Sequence, residues 1–384
     1  MSDSPTLAIR RLTLTDFRNY AALRLETGAR LVALTGANGA GKTNILEAIS
    51  LLAPGRGLRG VTFDELPRQY GSGAWAIAAE LEAEHGPVSL GTGWSGQPDA
   101  GEGGSRQVVI DGEAQKSAGA LGDHMRLLWL TPAQDRLFAG SGSDRRRFLD
   151  RMVTAFDPEH AARISVFEKV MRERNLLLEE TRPDAAWLSS LEAHMAEAAV
   201  AISAARLVGL EALQTHIGEG RETSSFPWAD VAVEGEIEAL VAQKPAVQVE
   251  DEYRRILRDS RGLDRAAGRT LRGPHRSDLD VVHGPKKMAA AQCSTGEQKA
   301  LLIGLVLAQA RAVKAGAGVP PILLLDEVAA HLDRARRKSL IEALAALGSQ
   351  SWMTGTDASL FEAMVGMGAI FHVEDGRISQ AMED

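Results

Sequence analysis

The sequence predicts an α/β protein, a mixed sheet with an antiparallel subdomain and an inserted helical lobe. Three observations predict it. Strand and helix alternate at both ends of the chain, and a glycine-rich turn joins a strand to a helix near the start. Between the ends lies a long stretch rich in Ala, Leu, Glu and Arg, with apolar residues recurring at three and four. The expected division is a split head, residues 1–155 and 270–384, and a mainly helical lobe, residues 156–269. With 384 residues, 45% hydrophobic and 24% charged, the chain has the length and composition for two globular domains.

Each element follows from its pattern. Leu7, Ile9, Leu12 and Leu14 stand among polar residues as in a half-buried strand, and residues 30–35 form a second strand that runs into glycine. Residues 44–52 have helical spacing, with Ile45, Ile49 and Leu52 on one side, until Pro54-Gly55-Arg56-Gly57 stops them. Short alternating runs at 75–81 and 107–110 predict a small antiparallel sheet, with a glycine-rich connection over 91–104. Residues 158–218 read as two antiparallel helices turning at Thr181-Arg182-Pro183-Asp184, with no heptad repeat long enough for an extended coiled coil. A helix over 296–313, a strand over 322–325, a helix over 333–347 and a strand over 351–354 complete the α/β pattern.

Composition excludes several classes. A formal charge of −8 rules out a uniformly basic nucleic-acid coat but not a local basic patch. The single cysteine, Cys293, can form neither an intramolecular disulfide nor a cysteine-based metal site, which fits a reducing, cytoplasmic compartment. The longest apolar stretch, 301–310, falls short of the roughly 20 residues of a membrane span, and the first residues lack the apolar core of a signal peptide. No membrane partner is expected.

The strongest chemical signal is the run Gly36, Ala37, Asn38, Gly39, Ala40, Gly41, Lys42, Thr43, after a strand and before a helix. It has the form of a phosphate-binding loop. Backbone N–H groups and a helix N-terminus cradle the phosphates, Lys42 reaches the β and γ oxygens, and Thr43 offers a hydroxyl to Mg2+. ATP and Mg2+ are the expected ligands. The run Ile322, Leu323, Leu324, Leu325, Asp326, Glu327 is a buried strand ending in two carboxylates where an α/β sheet carries its ligand. Asp326 suits the Mg2+ shell, and Glu327 suits the general base that orients the attacking water; a strand-end capping pair is the bland alternative. Ser294, Thr295, Gly296, Glu297 ahead of a helix form a second anion site. One nucleotide has no use for two such sites from one subunit, so Ser294 and Gly296 point to a site completed by the partner in a homodimer. An ordinary capping box of Ser294 with Glu297 is the other reading.

On these motifs the chain resembles the ATP-binding-cassette ATPases. Four further strings narrow the resemblance to the RecF recombination and repair family, related to SMC and Rad50 heads. They are Asp16-Phe17-Arg18-Asn19-Tyr20, Arg145-Arg146-Arg147-Phe148-Leu149-Asp150, Arg172-Glu173-Arg174-Asn175-Leu176-Leu177 and Gly273-Pro274-His275-Arg276-Ser277-Asp278. The resemblance implies an ABC-type P-loop ATPase head, with Arg18 and Asn19 near the nucleotide's phosphates or base. It further implies that Gln134 is the glutamine that joins catalysis and the Mg2+ shell to the helical lobe, and that Asp333 lies in a loop crossing the dimer interface. Thr295 stands where most cassette ATPases have glycine, Cys293 replaces a leucine, and Thr354-Gly355-Thr356-Asp357 contains no switch histidine. These departures fit a weak Mg-dependent ATPase used as a conformational switch. The implied role is clamping of double-stranded DNA near single-strand gaps by an ATP-dependent homodimer, with RecR and RecO as partners in loading RecA, in the nucleoid-associated cytoplasm.

From the residues themselves, eight arginines against two acids between Tyr253 and Arg276 make a local cationic stretch. Arg254, Arg255, Arg258 and Arg261 are the candidate DNA contacts, through salt-dependent phosphate binding. A solvated helix face is the alternative. The Arg145 to Arg147 run either ties the lobes together by pairing with acids or touches DNA. A transporter ATPase does not fit the long separation of Thr43 from Ser294, and a Rad50-type protein would need a long coiled coil. A scaffold using ATP only as glue remains the third rival. No acidic or histidine cluster outside the ATPase carboxylates suits a two-metal nuclease.

Overall fold

The computed structural model describes residues 7–96, 106–221, 224–330 and 332–380. The chain forms two compact units. One comprises Met1–Asp135, Glu222–Phe226 and Leu302–Asp384, and the other Arg136–Arg221 and Pro227–Leu301.

The first unit opens with β1 (Ala8–Phe17), β2 (Tyr20–Glu26), β3 (Leu31–Thr35) and α1 (Lys42–Ser50). It continues with β4 (Trp75–Ala83), β5 (Gly86–Trp94), β6 (Arg106–Ile110), β7 (Glu113–Ala114) and β8 (Leu127–Leu130). The second unit carries α2 (Gly142–Phe156), α3 (His160–Glu179), α4 (Ala185–Glu219), β9 (Ala229–Glu234), α5 (Glu236–Val241), α6 (Ala246–Asp259), α7 (Arg261–Ala267), β10 (Asp278–His283) and β11 (Met288–Ala289). α8 (Thr295–Ala317) begins there and leads back to the first unit, which ends with β12 (Ile322–Leu325), α9 (Arg334–Leu347), β13 (Ser351–Gly355), β14 (Gly368–Glu374) and β15 (Arg377–Gln380).

The first unit contains two sheets. The antiparallel one has the order β2-β1-β4-β5-β6-β7, and its strands alternate buried and exposed residues, as a sheet with one solvated face requires. The other has the order β15-β14-β3-β13-β12-β8, in which β14, β3, β13, β12 and β8 run parallel and β15 is an antiparallel edge. β3, β12 and β13 are buried at every position, which explains the unbroken apolar runs Leu31 to Leu34 and Ile322 to Leu325. A single core joins Leu12 and Leu14 of β1, Ile45 and Ile49 of α1, Val32 and Leu34 of β3, Leu324 of β12 and Trp352 of β13.

Two buried polar side chains stitch this unit. Gln350 accepts from Ile9 N–H at 2.8 Å and Trp352 Nε1–H at 3.1 Å, and donates to the carbonyls of Ile9 and Ala29. Arg106 of β6 donates to the carbonyls of Leu51, Ala53 and Gly55, where α1 ends, and burial pulls its guanidinium down to about 10.

In the second unit α3 and α4 form the expected antiparallel pair, and Asp184 caps α4 by accepting from Ala186 and Trp187 N–H. Phe167, Met195, Ile202, Ile237, Val249, Tyr253 and Leu257 make its core. Three of the four family strings contribute to its polar interior. Arg174, fully buried, donates to Glu192 at 3.1 Å, Asp264 at 2.8 Å, Thr270 at 3.0 Å and the Leu257 carbonyl at 2.7 Å. Arg206 binds Asp150 through two nitrogens and reaches Glu238 and the Pro274 carbonyl, while Ser277 donates to Glu238.

Several expectations shift. The unit boundaries fall at 135/136 and 301/302, where 155/156 and 269/270 were expected. α2 packs on α4 and β10, and β10 pairs with β9 in a three-stranded sheet that the helical reading of the lobe lacked. In the glycine-rich connection, residues 91–94 belong to β5, and 97–105 lie outside the described residues. Helix α1 starts at Lys42, two residues earlier than its apolar spacing shows, because the phosphate-loop pattern continues into its first turn. By length and composition α8 could cross a membrane, but 67% of its most apolar window is buried inside the protein.

Candidate nucleotide site

The parallel sheet gathers the site at the carboxyl ends of three adjacent strands. Thr35 ends β3 and leads into Gly36, Leu325 ends β12 and leads into Asp326, and β13 lies between them with Thr354 paired to Leu34.

The loop from Gly36 to Gly41 is shaped by close backbone approach. A Cβ on Gly36, whose φ is +142°, would lie 2.2 Å from the Val373 carbonyl oxygen. One on Gly41, at φ +113°, would lie 2.4 Å from Asn19 Nδ2. The outer wall of the loop is the β1–β2 turn. Asn19 Nδ2 donates to the Ala40 carbonyl at 3.1 Å, Asn19 Oδ1 accepts from Asn44, and the buried Tyr20 hydroxyl donates to the Gly41 carbonyl at 3.1 Å. Burial raises the Tyr20 pKa above the ordinary phenol range, so it stays a donor.

Lys42, only 5% exposed, donates from Nζ to the carbonyls of Gly36 at 2.7 Å and Ala37 at 2.8 Å. Burial lowers its pKa, opposed by the charges of Glu327 and Asp326. Thr43 Oγ1 donates to Asp326 Oδ1 at 2.8 Å, and Thr354 Oγ1 donates to the same oxygen at 2.7 Å. The Glu327 N–H donates to Thr354 Oγ1 at 2.8 Å, and Glu327 has φ +49°. A glycine cradle, a buried ammonium, and a hydroxyl beside a carboxylate fit a nucleoside triphosphate with Mg2+, which takes hard oxygens and few protein ligands.

Lys42, Thr43, Asp326 and Glu327 thus meet as the spacing predicts. Arg18 and Asn19 part ways. Asn19 abuts the loop, but the Arg18 guanidinium forms two 2.8 Å bonds to Glu47 of α1, a carboxylate 1% exposed that Arg59 also reaches at 2.6 Å. Gln134 lies one turn beyond β8, the strand beside β12; its Oε1 accepts from Thr131 N–H at 2.9 Å, and its buried Nε2 has no partner. Asp333 is an exposed N-cap of α9, accepting from Arg336 N–H at 2.8 Å, and the neighbouring His331 lies outside the described residues.

Ser294 and Gly296 belong to the second unit, exposed at the start of α8. Half of the capping box is present: Glu297 accepts from Ser294 N–H at 3.0 Å and pairs with Lys286. The Lys286 bond, followed by that from the Ser294 N–H, lowers the Glu297 pKa to about 2.

The cationic stretch is mixed. Arg255 and Arg258 are exposed on α6, opposite its buried Val249, Tyr253 and Leu257. Arg254 lies 3.8 Å from Glu250 and 3.6 Å from Asp251. Arg261 is a brace, bonded to Glu192 at 2.9 and 2.6 Å. Arg145 is likewise bonded to Asp278 at 2.7 and 2.6 Å and Arg146 to the Ser277 carbonyl at 2.8 Å, so both half-buried side chains brace their own unit. Only Arg147 of that run is exposed, beside Asp144.

Sequence reasoning missed Tyr20, Glu47, Arg59 and Thr354. Glu47 alone left a signal, as the one acid within the apolar stretch 45–49 of α1. The other three acquire meaning only from neighbours distant in sequence.

Residues 8–379 match the family described as RecF/RecN/SMC N terminal domain. The chain is 50% identical to the "DNA replication and repair protein RecF" of Mesorhizobium japonicum, over 96% of this chain and 97% of that one. It is also 50% identical to the protein of the same name from Brucella suis biovar 1, over 97% and 96%. In fold it is similar to the solved "recombination mediator protein RecF-ATPrS in RecFOR pathway", with TM-score 0.85 and 24% identity over 98% of this chain and 99% of that chain. It is similar at lower TM-score, 0.53, with 16% identity, to an Smc head domain from Pyrococcus furiosus, over 98% and 96%.

Proposed function

The chain belongs to the RecF family within the RecF/RecN/SMC group, and from that premise we propose that it is an ATP-dependent DNA-binding protein of recombinational repair. The observation that carries the reading is the meeting of Lys42, Thr43 and Asp326 at the end of one parallel sheet. Lys42 leaves the Gly36 and Ala37 carbonyls to meet phosphate oxygens, so the loop exchanges an internal cation for a bound ligand. Thr43 and Asp326 would hold Mg2+, with Gln134 as a third candidate ligand, and the ion would supply neutralisation of phosphate charge there. Glu327 takes a proton from the water that attacks the γ-phosphorus as the bond to the β,γ-bridging oxygen breaks, giving ADP and inorganic phosphate.

In a homodimer each chain offers Ser294 and Gly296 to its partner's γ-phosphate, with Asp333 at the seam. ATP closes the two heads on double-stranded DNA near single-strand gaps, and slow hydrolysis reopens them. Exposed Arg255 and Arg258, with Arg254, meet the DNA phosphates, while Arg261 keeps its bonds to Glu192. Family membership supports RecR and RecO as partners in RecA loading, in the nucleoid-associated cytoplasm.

Equilibrium binding of ATP and of a gapped duplex to wild type and Lys42→Ala, at two salt concentrations, tests this. ATP should tighten DNA binding by wild type about tenfold or more, and Lys42→Ala should lose both ATP binding and that gain. DNA affinity indifferent to ATP in both proteins would overturn it.

A further inference from the structure

Thr354 is fully buried, and its hydroxyl touches both carboxylate residues of the nucleotide site. A threonine hydroxyl has one proton and two lone pairs. Here the proton goes to Asp326 Oδ1 at 2.7 Å, and a lone pair receives the Glu327 N–H at 2.8 Å. The parallel register makes this contact possible: Leu325 pairs with Met353, so the next residues, Asp326 and Thr354, stand side by side. Two features show that the contact constrains more than packing. Glu327 adopts φ +49°, a left-handed conformation that a side-chain-bearing residue keeps when its neighbours over-determine it. Asp326 directs Oδ1 at two hydroxyls, those of Thr354 and Thr43. Were the Thr43 hydroxyl to turn to Mg2+, Thr354 would still fix that carboxylate.

We propose that Thr354 is a positioning residue of the ATPase site, whose hydroxyl sets the orientation of Asp326 and locks the Glu327 backbone so that the Glu327 carboxylate is aimed at the attacking water. Thr354 itself touches neither nucleotide nor water. The inference rests on the proposed ATPase reading and deepens it. It predicts a loss confined to turnover, because Lys42 and the glycine cradle keep their own hydrogen bonds without Thr354.

The test measures ATP affinity and single-turnover hydrolysis for full-length wild type, Thr354→Val and Thr354→Ser. Val keeps the shape and removes the hydroxyl; Ser keeps the hydroxyl and removes a methyl group. Hydrolysis by Thr354→Val should fall about tenfold to a hundredfold, the scale of a small misplacement of a reacting group, with ATP affinity within about threefold of wild type. Thr354→Ser should hydrolyse within about threefold of wild type. If the valine variant does not fold, Thr354→Ala serves in its place with the same expectation. Wild-type turnover by the variant lacking the hydroxyl, a parallel loss of affinity and turnover, or no recovery with serine would each overturn the proposal. No hydrolysis by wild type would overturn the ATPase reading itself.

Discussion

Glu47 shows how much of the site is built by residues that never meet the ligand. Its carboxylate is 1% exposed, on the helix that follows the phosphate loop, and receives Arg18 and Arg59 from two different connections. Arg18 and Arg59 are themselves partly exposed, so removing the carboxylate forfeits its charge-assisted hydrogen bonds and leaves no buried charge behind, at a cost of about 1.5–3 kcal/mol. Glu47→Ala should therefore lower the unfolding free energy by about 2 kcal/mol in a denaturant titration, and a change below about 0.5 kcal/mol would contradict the account. Lys42, Thr43, Asp326 and Glu327 are legible in the sequence because their side-chain types and spacing are those that phosphate and Mg2+ chemistry requires. Glu47, Tyr20 and Thr354 are not, because a buried acid, phenol or hydroxyl takes its role from partners that only the fold supplies. Arg18 and Arg261 err in the opposite direction: both carry a charge that suits phosphate, and both are bonded to buried glutamates.

Among elements, the ones read most closely from sequence are those whose pattern is local. β12 is found at its expected residues, and α9 starts one residue after its expected first residue, because Asp333 serves as the cap. The β9–β10–β11 sheet escaped notice because β9 and β10 are separated by three helices and find each other only in the folded unit. The turn between β1 and β2 acts on the phosphate loop as a unit. Gly41→Ala would place a methyl group against Asn19 and Tyr20 at a left-handed φ, so ATP affinity should fall at least about tenfold, as isothermal titration can measure. Unchanged affinity would show that the turn does not shape the loop. In the second unit, the bond from Arg145 holds the Asp278 pKa below the ordinary carboxylate value, so the folded state binds its proton later than the unfolded chain on acidification. That stabilisation is complete above the unfolded carboxylate pKa and is lost as pH falls through the lower folded value. Asp278→Asn should flatten the acid limb of the stability profile, and an identical limb in both proteins would contradict this.

For the whole molecule, the helical hairpin α3–α4 makes a short lobe in place of a long arm, and three of the four family strings contribute to its polar interior. Those three therefore report a structural requirement of the lobe, while Asp16 to Tyr20 and the proposed nucleotide site lie in the other unit. What joins the two in the proposed cycle is the second copy of the chain, which brings Ser294 to the nucleotide. The central claim is that ATP drives this pairing and that Glu327 ends it. Its most direct test is the mass of wild type and Glu327→Gln by light scattering, without nucleotide, with ATP, and after ATP is consumed. Both proteins should be monomeric without nucleotide and dimeric with ATP, and wild type alone should return to monomer as ATP is spent. A mass that does not change with ATP in either protein would contradict the account.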